Sequence, residues 1–580
     1  MKEGQEGIYK FGPFRVDAAE RSLRRGQVSV PLTSKVFDLL LHLVRNPGRL
    51  VTKEELMGGI WPHAFVEENN LTVNMSALRK SLGEGGRASS HIETVPGRGY
   101  RFTTPVRMGE PQKGARENKW KSGAGISLAV LPLANMTEDS AHDYLSGGIM
   151  ESIVNNLSQL PQLKVKAWNS VRRFTHREVD AQTVGLKLGV HAVLVGRMCR
   201  AGDRLHVAVE LVDAADGTQV WGTEYEYIQA EILSLQEDIV GRVVESLRLR
   251  LTRVELRGLH KRHTASIKAY QFYQQGRHSL NNRTECGFRE ALGFFERALR
   301  EDENYAPAHA GVADCYLLLG GYGVMSPLES MPLIKAALSL ALERDKNLAE
   351  AHASLGHLKS IHEWDRAGAD REFELAIKLN PSYATARHWY GLSLRARGLF
   401  DRALEELKLA QELDPLSPMI DIAIGSNAYY ERRYDAAISL LRGTQELHPN
   451  IHLASIHLGF SYLELGAFED AIKELSRLVG AIENPEALGG LGYAFGVAGR
   501  VKDARGILRE LKSLAATRYV DPFIVGMVHT GLGEKDQAFE QFGKAVNHRS
   551  ISASMFRVFP VLDSLRADPR FAELLLRVGL

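Results

Sequence analysis

The chain has 580 residues, too many for one hydrophobic core, so its length predicts several domains. With 44% hydrophobic and 24% charged residues, the composition excludes a disordered or fibrous protein. The net charge is only +2, but residues 1–107 carry 16 Lys and Arg against 11 Asp and Glu. The basic excess at this end is compatible with binding to nucleic acid.

Cysteines and apolar runs bear on the cellular compartment. Cys199, Cys286 and Cys315 are scattered without the spacing of a disulfide framework or a metal site. The N-terminus lacks the apolar segment of a signal peptide, and the apolar run 126–134 is far shorter than the ~20 residues that span a bilayer. We therefore expect a cytoplasmic protein without a membrane segment, bound metal or cofactor.

The first hundred residues change their hydrophobic period once. Residues 8–32 alternate apolar and polar positions in short runs, which predicts a small antiparallel meander. From Thr33 to Asn46 the apolar residues follow helical spacing and predict a first helix. Thr52 and Glu55 have the spacing of a capping box and predict the start of a second helix.

A third helix follows, with Asn69 or Asn70 as its predicted cap. Its apolar residues recur every three or four positions, so one stripe is buried and the other faces are polar. Two short strands then flank residues 96–99, which predicts a hairpin with Arg98 at its tip. The buried stripe consists of Leu71, Met75, Leu78 and Leu82.

These elements resemble the winged-helix effector domain of the OmpR/PhoB response-regulator family over residues 8–106. The resemblance implies that the third helix enters the major groove of double-stranded DNA and that the hairpin, or wing, touches the neighbouring minor groove. It rests on Leu32-Thr33 with Glu54-Glu55-Leu56 and Trp61, on Asn74-Met75-Ser76-Ala77-Leu78-Arg79-Lys80, and on Ile92-Glu93-Thr94-Val95-Pro96-Gly97-Arg98-Gly99-Tyr100-Arg101-Phe102.

The same resemblance implies which residues contact DNA. Asn can bond adenine bidentately in the major groove, while Arg and Lys neutralise phosphates and suit a narrow minor groove. Many family members place Arg or His where this chain has Asn74, Ser76 and Ala77, which leaves the target sequence open. The candidate DNA-binding residues are Asn70, Asn74, Ala77, Arg79, Lys80, Arg98 and Arg101.

The family resemblance also bears on control. Response regulators of this type carry a receiver domain ahead of the winged helix, but only seven residues precede Ile8, so we do not expect phosphorelay control in cis. The order of domains resembles the CadC/ToxR group without its membrane helix. The family further implies that the loop before the third helix can face RNA polymerase. A homodimer on paired half-sites stays an alternative, although no dimer helix is visible.

A linker and a second domain follow. Residues 107–125 are polar and Gly-rich and predict a flexible linker. Residues 126–252 alternate strand and helix patterns and end in three strands and a helix, which predicts an α/β domain with an antiparallel meander. The strings 129–133, 189–196 and 209–217 resemble the TolB amino-terminal-like domain. This resemblance implies a domain that binds, senses or spaces.

Nothing in the second domain indicates a reaction. It has no phosphate-binding Gly-rich loop, no nucleophile elbow and no metal-spaced His/Cys cluster, so we assign no catalytic residue. Asp139, Asp143 and Glu151 lie near a predicted helix start. Favourable charge at a helix N-terminus explains them better than a metal site does.

Residues 266–548 are helical in pattern and repetitive. Gly391, Gly425 and Gly459 are 34 residues apart, and an alanine follows each of them by 12 residues. This period is that of the tetratricopeptide repeat, in which each unit pairs two antiparallel helices. Looser copies bring the array to about eight units, and residues 549–580 are expected to cap it. The concave face of such a solenoid suits a protein or peptide partner.

The predicted fold is therefore a multidomain α+β chain: a winged helix-turn-helix, an α/β domain and an all-α tetratricopeptide solenoid. The predicted function is sequence-specific DNA binding in transcriptional regulation, with a partner bound by the repeats and a central domain that senses or spaces. The alternative is a non-catalytic interaction scaffold with a vestigial winged helix. Similar central and repeat regions are sometimes joined to cyclase or kinase domains, but no segment is left for one here, so we do not expect an enzyme.

Overall fold

Residues close in space divide the chain into two units, residues 1–123 with 216–220 and residues 124–215 with 221–580. The structure is a computed structural model. It describes residues 8–18, 22–26, 28–30, 32, 34–60, 68–83, 91–109, 125–136, 143–174, 180–201, 204–228, 231–249, 251–259, 261–449, 451, 453–481 and 484–580.

The N-terminal unit begins with the predicted antiparallel meander, which is confirmed. Its strands are β1 (Ile8–Phe11), β2 (Phe14–Asp17), β3 (Ser22–Arg25) and β4 (Val28–Val30). A further strand, Arg107–Gly109, pairs antiparallel with β1 and places Gly109 opposite Ile8. The first three residues of the predicted linker 107–125 are therefore part of the sheet. Their polar sequence does not indicate a strand, because the hydrogen bonds that hold it come from β1, far away along the chain. Residues 110–124 lie outside the described residues.

Three helices and a second sheet complete the winged helix. The helices are α1 (Ser34–Arg45), α2 (Lys53–Ile60) and α3 (Glu68–Ser81). The sheet has the order β5-β7-β6 and consists of β5 (Leu50–Thr52), β6 (Ile92–Val95) and β7 (Gly99–Phe102). The strand Arg107–Gly109 is β8 in this numbering.

The capping box is confirmed, whereas the predicted cap of α3 is wrong. Glu55 N donates to Thr52 Oγ1 over 3.1 Å, and Thr52 N donates to Glu55 over 3.0 Å. That backbone hydrogen bond is the main cause that lowers the pKa of Glu55. Helix α3 starts at Glu68, so Asn69 and Asn70 lie inside it. Its predicted apolar stripe is buried at every position, namely Leu71, Met75, Leu78 and Leu82.

The central α/β domain follows the predicted order. Its sheet runs β11-β9-β12-β13-β14, with β10 beside β12, and β9 pairs in parallel with both β11 and β12. As the predicted meander requires, β12 and β13 pair antiparallel, and β14 lies beside β13. The elements are β9 (Ile126–Val130), β10 (Ala134–Asn135), α4 (Asp143–Ser158), β11 (Leu163–Val165), α5 (Trp168–Val171), α6 (Ala181–Leu188), β12 (Ala192–Ala201), β13 (Arg204–Asp213), β14 (Gln219–Ile228), α7 (Ile232–Ser246) and α8 (Arg253–Leu259).

Eight antiparallel helix pairs form the repeat array. An added Cβ on Gly391, Gly425 or Gly459 would come within 2.8 Å of a leucine in the second helix of its own pair, which explains the repeated glycine. The pairs, called repeats 1 to 8, are α9 (Ile267–Leu280) with α10 (Glu285–Glu301), α11 (Ala306–Gly321) with α12 (Pro327–Arg344), α13 (Ala349–Leu358) with α14 (Arg366–Leu379), α15 (Ala384–Ala396) with α16 (Phe400–Leu413), α17 (Pro418–Tyr430) with α18 (Tyr434–Leu447), α19 (Leu453–Glu464) with α20 (Phe468–Ala481), α21 (Pro485–Val497) with α22 (Val501–Leu514), and α23 (Pro522–Gly531) with α24 (Lys535–Asn547).

A C-terminal segment, residues 549–580, follows the last pair. It contains 3-10 turns at Ser552–Met555 and Pro560–Leu565, and it ends in helix α25 (Pro569–Arg577), which packs on α24. Helix α25 thus lies against the last repeat, where the sequence predicts a cap. Among the helices that the structure describes, none is both long and apolar enough to cross a membrane.

Candidate functional site

Helix α3 exposes one continuous strip opposite its buried stripe. Asn70, Val73, Asn74, Ala77 and Lys80 follow one another at helical spacing, and all of them are exposed or half-exposed. Val73 is 60% exposed, so its methyl groups are accessible on this strip. The Asn74 side chain donates to the Asn70 carbonyl over 2.8 Å, so its own carbonyl oxygen points away from that bond. The strip carries polar amides and small apolar groups, the chemistry that reads base edges.

Arg79, a predicted phosphate ligand, is turned toward the hairpin of its own domain. Its guanidinium donates to the Ile92 carbonyl over 3.0 Å and to Thr94 Oγ1 over 2.6 Å. The same group lies 5.9 Å from the centre of the Tyr100 ring. Arg79 therefore connects α3 with the wing and stabilises the angle between the helix and the hairpin.

The wing has two arginines, one exposed at its tip and one paired with a glutamate of the same hairpin. Arg98 is exposed at the turn, where its backbone N–H donates to the Val95 carbonyl over 3.0 Å. Arg101 forms a 2.9 Å ion pair with Glu93 on the facing strand. A Cβ on Gly99 would collide with the carbonyl of Val51, so the close approach of β7 to β5 requires glycine there.

Among the described residues of α3 and the wing, few cations are free of partners within the domain. Lys80 and Arg98 form no ion pair with another residue that the structure describes. Arg79 and Arg101 are engaged within the domain. The sequence thus placed all seven candidates on α3 and the wing, but it did not predict that the guanidinium groups of Arg79 and Arg101 are already bonded internally. The predicted set does not include Val73, although this exposed residue lies between Asn70 and Asn74 on the same strip.

The central domain is docked onto the repeats through its sheet edge and through α4. Ser382 of the loop between repeats 3 and 4 bonds the backbone of β11 at Val165 N, 3.1 Å, and at the Leu163 carbonyl, 3.2 Å. This covers an edge strand that would otherwise be open to pairing with another chain. Glu151 on α4 forms a 3.0 Å ion pair with Arg277 on α9, both largely buried, which gives that carboxylate a structural role.

The C-terminal segment returns to several earlier repeats. Arg432 in repeat 5 forms a 2.8 Å ion pair with Asp563. Arg366 in repeat 3 donates to the carbonyls of Val578 and Gly579 over 2.9 and 2.8 Å. The Phe559 ring lies 5.4 Å from the ring of Tyr430, at the end of the first helix of repeat 5. The C-terminal segment thus covers parts of repeats 3 and 5.

Three parts of the chain match known protein families. Residues 26–102 match the family described as "Transcriptional regulatory protein, C terminal". Residues 124–242 match "HilA/YgeH-like transcriptional regulator, second domain". Residues 365–418 and 422–483 match "Tetratricopeptide repeat".

In these three parts the chain is similar to transcriptional regulators: it has an OmpR/PhoB-type winged helix, a HilA/YgeH-like second domain and tetratricopeptide repeats. It is 26% identical over 453 residues to "Transcriptional regulator HilA" of Salmonella typhi, an alignment that covers 76% of this chain and 78% of that protein. It is 35% identical over 96 residues to "KDP operon transcriptional regulatory protein KdpE" of Escherichia coli, covering 16% and 43% of the two chains. The "Putative adenylate cyclase 3" of Rhizobium meliloti is 30% identical over 207 residues, covering 36% of this chain and 35% of that protein.

Proposed function

We propose that the chain is a transcriptional regulator similar to HilA and that it recognises specific DNA sites through the exposed strip of α3 and the wing. The observation that carries the proposal is the strip itself, because Asn74 can bond adenine and the methyl groups of Val73 and Ala77 can contact thymine. Lys80 lies at the end of the strip, suited to a phosphate, and Arg98 at the wing tip is suited to the minor groove.

Two of the candidates are given a different role in this proposal. Arg79 and Arg101 position the wing instead of neutralising phosphates, since both guanidinium groups already have partners within the domain. Because few cations are free among the described residues of α3 and the wing, base readout would supply much of the affinity, and pairing of two chains on adjacent half-sites would add to it. The loop predicted to face RNA polymerase, residues 61–67, lies outside the described residues.

The central domain and the repeats are proposed to receive a signal that alters DNA binding or polymerase contact. Support comes from their docking, which gives the α/β domain a fixed position on repeats 1 and 3 to 5. A protein or peptide partner would bind the first helices of the repeats where the C-terminal segment leaves them open. The likeness of the central domain to the TolB amino-terminal-like domain remains a sequence-based proposal.

The test is the enrichment of genomic DNA fragments by the full-length protein at two salt concentrations. The wild-type protein should recover recurrent sites, and Asn74→Ala/Arg98→Ala should bind them at least about tenfold more weakly, because each good base contact contributes about 1–3 kcal/mol. Arg24→Ala is the charge-matched control, since Arg24 is exposed on β3 and not on the strip or the wing.

Absence of recurrent sites, or equal enrichment by wild type and the double variant, would contradict DNA reading by α3 and the wing. Either result would favour the scaffold alternative, in which the winged helix no longer binds DNA.

A further inference from the structure

A cavity of about 700 Å³ lies where the central domain, the repeats and the C-terminal segment meet. Its volume falls in the range of about 300–1,000 Å³ that is typical of small-molecule sites. The end of α5 and the segment after it form one wall, the turns of repeats 1 and 2 form another, and the C-terminal segment contributes Ile551 and Phe559. No residue of the sequence analysis pointed to this site.

Three arginines face the cavity from two different elements. Arg172 and Arg173 follow α5, and Arg283 lies in the turn of repeat 1. Burial is the main cause that lowers the pKa of Arg172; the charges of Arg173 and Arg283 act in the same direction, and those of Glu151 and Asp414 oppose it. The Arg172 Nε atom is buried without a hydrogen-bond partner among the described residues. The cluster therefore carries positive charge that its described surroundings do not fully satisfy.

The backbone of Arg283 gives a second, independent indication. Each repeat turns from its first to its second helix through one residue with a positive φ, and in five of the repeats that residue is glycine, as at Gly398. Repeats 1, 3 and 5 use Arg283, Trp364 and Arg432 instead, with φ of 54°, 60° and 66°. A side chain in this conformation costs about 1–2 kcal/mol relative to glycine.

Two of these three exceptions have a visible use. Arg432 pairs with Asp563, and the Trp364 ring stacks under the guanidinium of Arg549 at 4.5 Å, so both hold the C-terminal segment. Arg283 forms no ion pair with a residue that the structure describes, and its side chain lines the cavity. Strained positions that structure alone does not explain concentrate at ligand sites.

The rest of the cavity wall is mixed. Met419 and Leu453 are only half-buried and expose apolar surface to the interior. Glu486 also lines the cavity, and its side chain is exposed. A ligand would therefore meet cations at one place, apolar surface at another and a carboxyl group at a third.

We propose that this cavity binds a small organic anion with an apolar body, whose acidic group is held by Arg172, Arg173 and Arg283. The apolar body would lie against Met419 and Leu453. Guanidinium groups suit carboxylate, sulfonate and phosphate oxygens because they offer paired N–H donors. The idea that the bound anion is the signal of a transcriptional regulator rests on the proposed function. The binding of the anion to the cavity does not.

The probe is 8-anilinonaphthalene-1-sulfonate, an anion with an aromatic body, whose fluorescence is titrated with the full-length protein in the absence of DNA. Arg173→Gln/Arg283→Gln should weaken its binding by about tenfold or more, as expected for the removal of charge-assisted hydrogen bonds. The neutral analogue N-phenyl-1-naphthylamine should bind both proteins within about twofold, since it has no group for the arginines to hold.

Two controls make the result interpretable. Arg289→Gln/Arg300→Gln removes the same charge from exposed positions on α10 outside the cavity and should bind both probes as wild type does. Arg283→Gly places in repeat 1 the residue that five other repeats use there, so it should fold normally and still weaken sulfonate binding.

Unchanged sulfonate binding in the cavity variants would overturn the proposal, and so would an equal weakening of both probes or an equal weakening in the control variant. The DNA-binding variant Asn74→Ala/Arg98→Ala should bind the sulfonate normally. Failure of DNA recognition and failure of this site are therefore separate outcomes.

Discussion

Arg79 and Lys80 are adjacent on α3 and show how one residue's direction changes its role. Arg79 reaches back to the hairpin, where its hydrogen bonds join Ile92 and Thr94. Lys80 projects to solvent without an ion pair to another described residue. Periodicity predicts that both lie off the buried stripe, but it cannot distinguish them, because the acceptors of Arg79 are 13 and 15 residues away in sequence.

The two substitutions should therefore affect DNA binding differently. Lys80→Ala should reduce the slope of log K against log salt concentration by about 0.9, the value for each phosphate that a cation neutralises. Arg79→Ala should leave the slope unchanged but release the wing, since hydrogen bonds from a charged group contribute about 1–3 kcal/mol. Hydrogen exchange of residues 91–103 should then accelerate by about ten- to a hundredfold. A smaller slope for Arg79→Ala, with normal exchange in the wing, would assign that arginine to a phosphate instead.

At the scale of elements, the sequence predicts the repeats and helix starts from regular spacing. It does not predict how the central domain docks onto the repeats. The 34-residue glycine and alanine spacing predicts the repeats because each glycine meets a leucine of its own helix pair. The capping box at Thr52 and Glu55 predicts the start of α2 because both partners are local. Ser382 on the edge of β11 had no such signal, since its partners Leu163 and Val165 are more than 200 residues away.

Asp414, buried at the junction of repeat 4 with the central domain, makes this docking sensitive to pH. It accepts a hydrogen bond from Ser170, and burial is the main cause that raises its pKa to about 6. The docked state therefore favours the protonated carboxyl. Docking is strongest below the ordinary pKa of an aspartate, weakens as the pH rises toward about 6, and stays constant above that value.

Asp414→Asn should remove this pH dependence. Asparagine fits the position, because Asn380 ends the second helix of repeat 3 with a similar backbone conformation. The measurement is the protection of the Ala167 amide, which donates to the Leu413 carbonyl, against hydrogen exchange. Between pH 4 and pH 7 this protection should fall about ten- to a hundredfold more in wild type than in the variant. Amides of α24, far along the array, should behave alike in both proteins. Parallel pH profiles for Ala167 would refute a role for this carboxyl.

In the second unit, the C-terminal segment contacts several repeats that are not neighbours in the array. In a simple solenoid each repeat contacts only its neighbours, so stability is a sum of local terms. Here Phe559 contacts rings of repeats 5, 6 and 8, namely Tyr430, Phe460 and Phe523, at centroid distances of 5.4, 6.0 and 5.3 Å. Arg366 and Arg432 extend these contacts to repeats 3 and 5 over 213 and 131 residues of sequence. The segment thus connects repeats that would not contact one another in a simple array of stacked helix pairs.

Repeats 3 to 8 should therefore open together in the wild-type protein, with a common free energy of hydrogen exchange. Phe559→Ala removes the shared ring and should cost about 3–5 kcal/mol, after which repeats 5 and 8 should exchange with separate free energies. Phe373→Ala is the matched control: Phe373 is fully buried and stacks with Tyr390 at 5.4 Å between adjacent repeats. It should lower the common free energy by a similar amount while the repeats still open together. If both variants kept the repeats coupled, or if the wild-type repeats already exchanged independently, the contacts of the C-terminal segment would be too weak to join the array, and it would behave as an ordinary solenoid with a terminal cap.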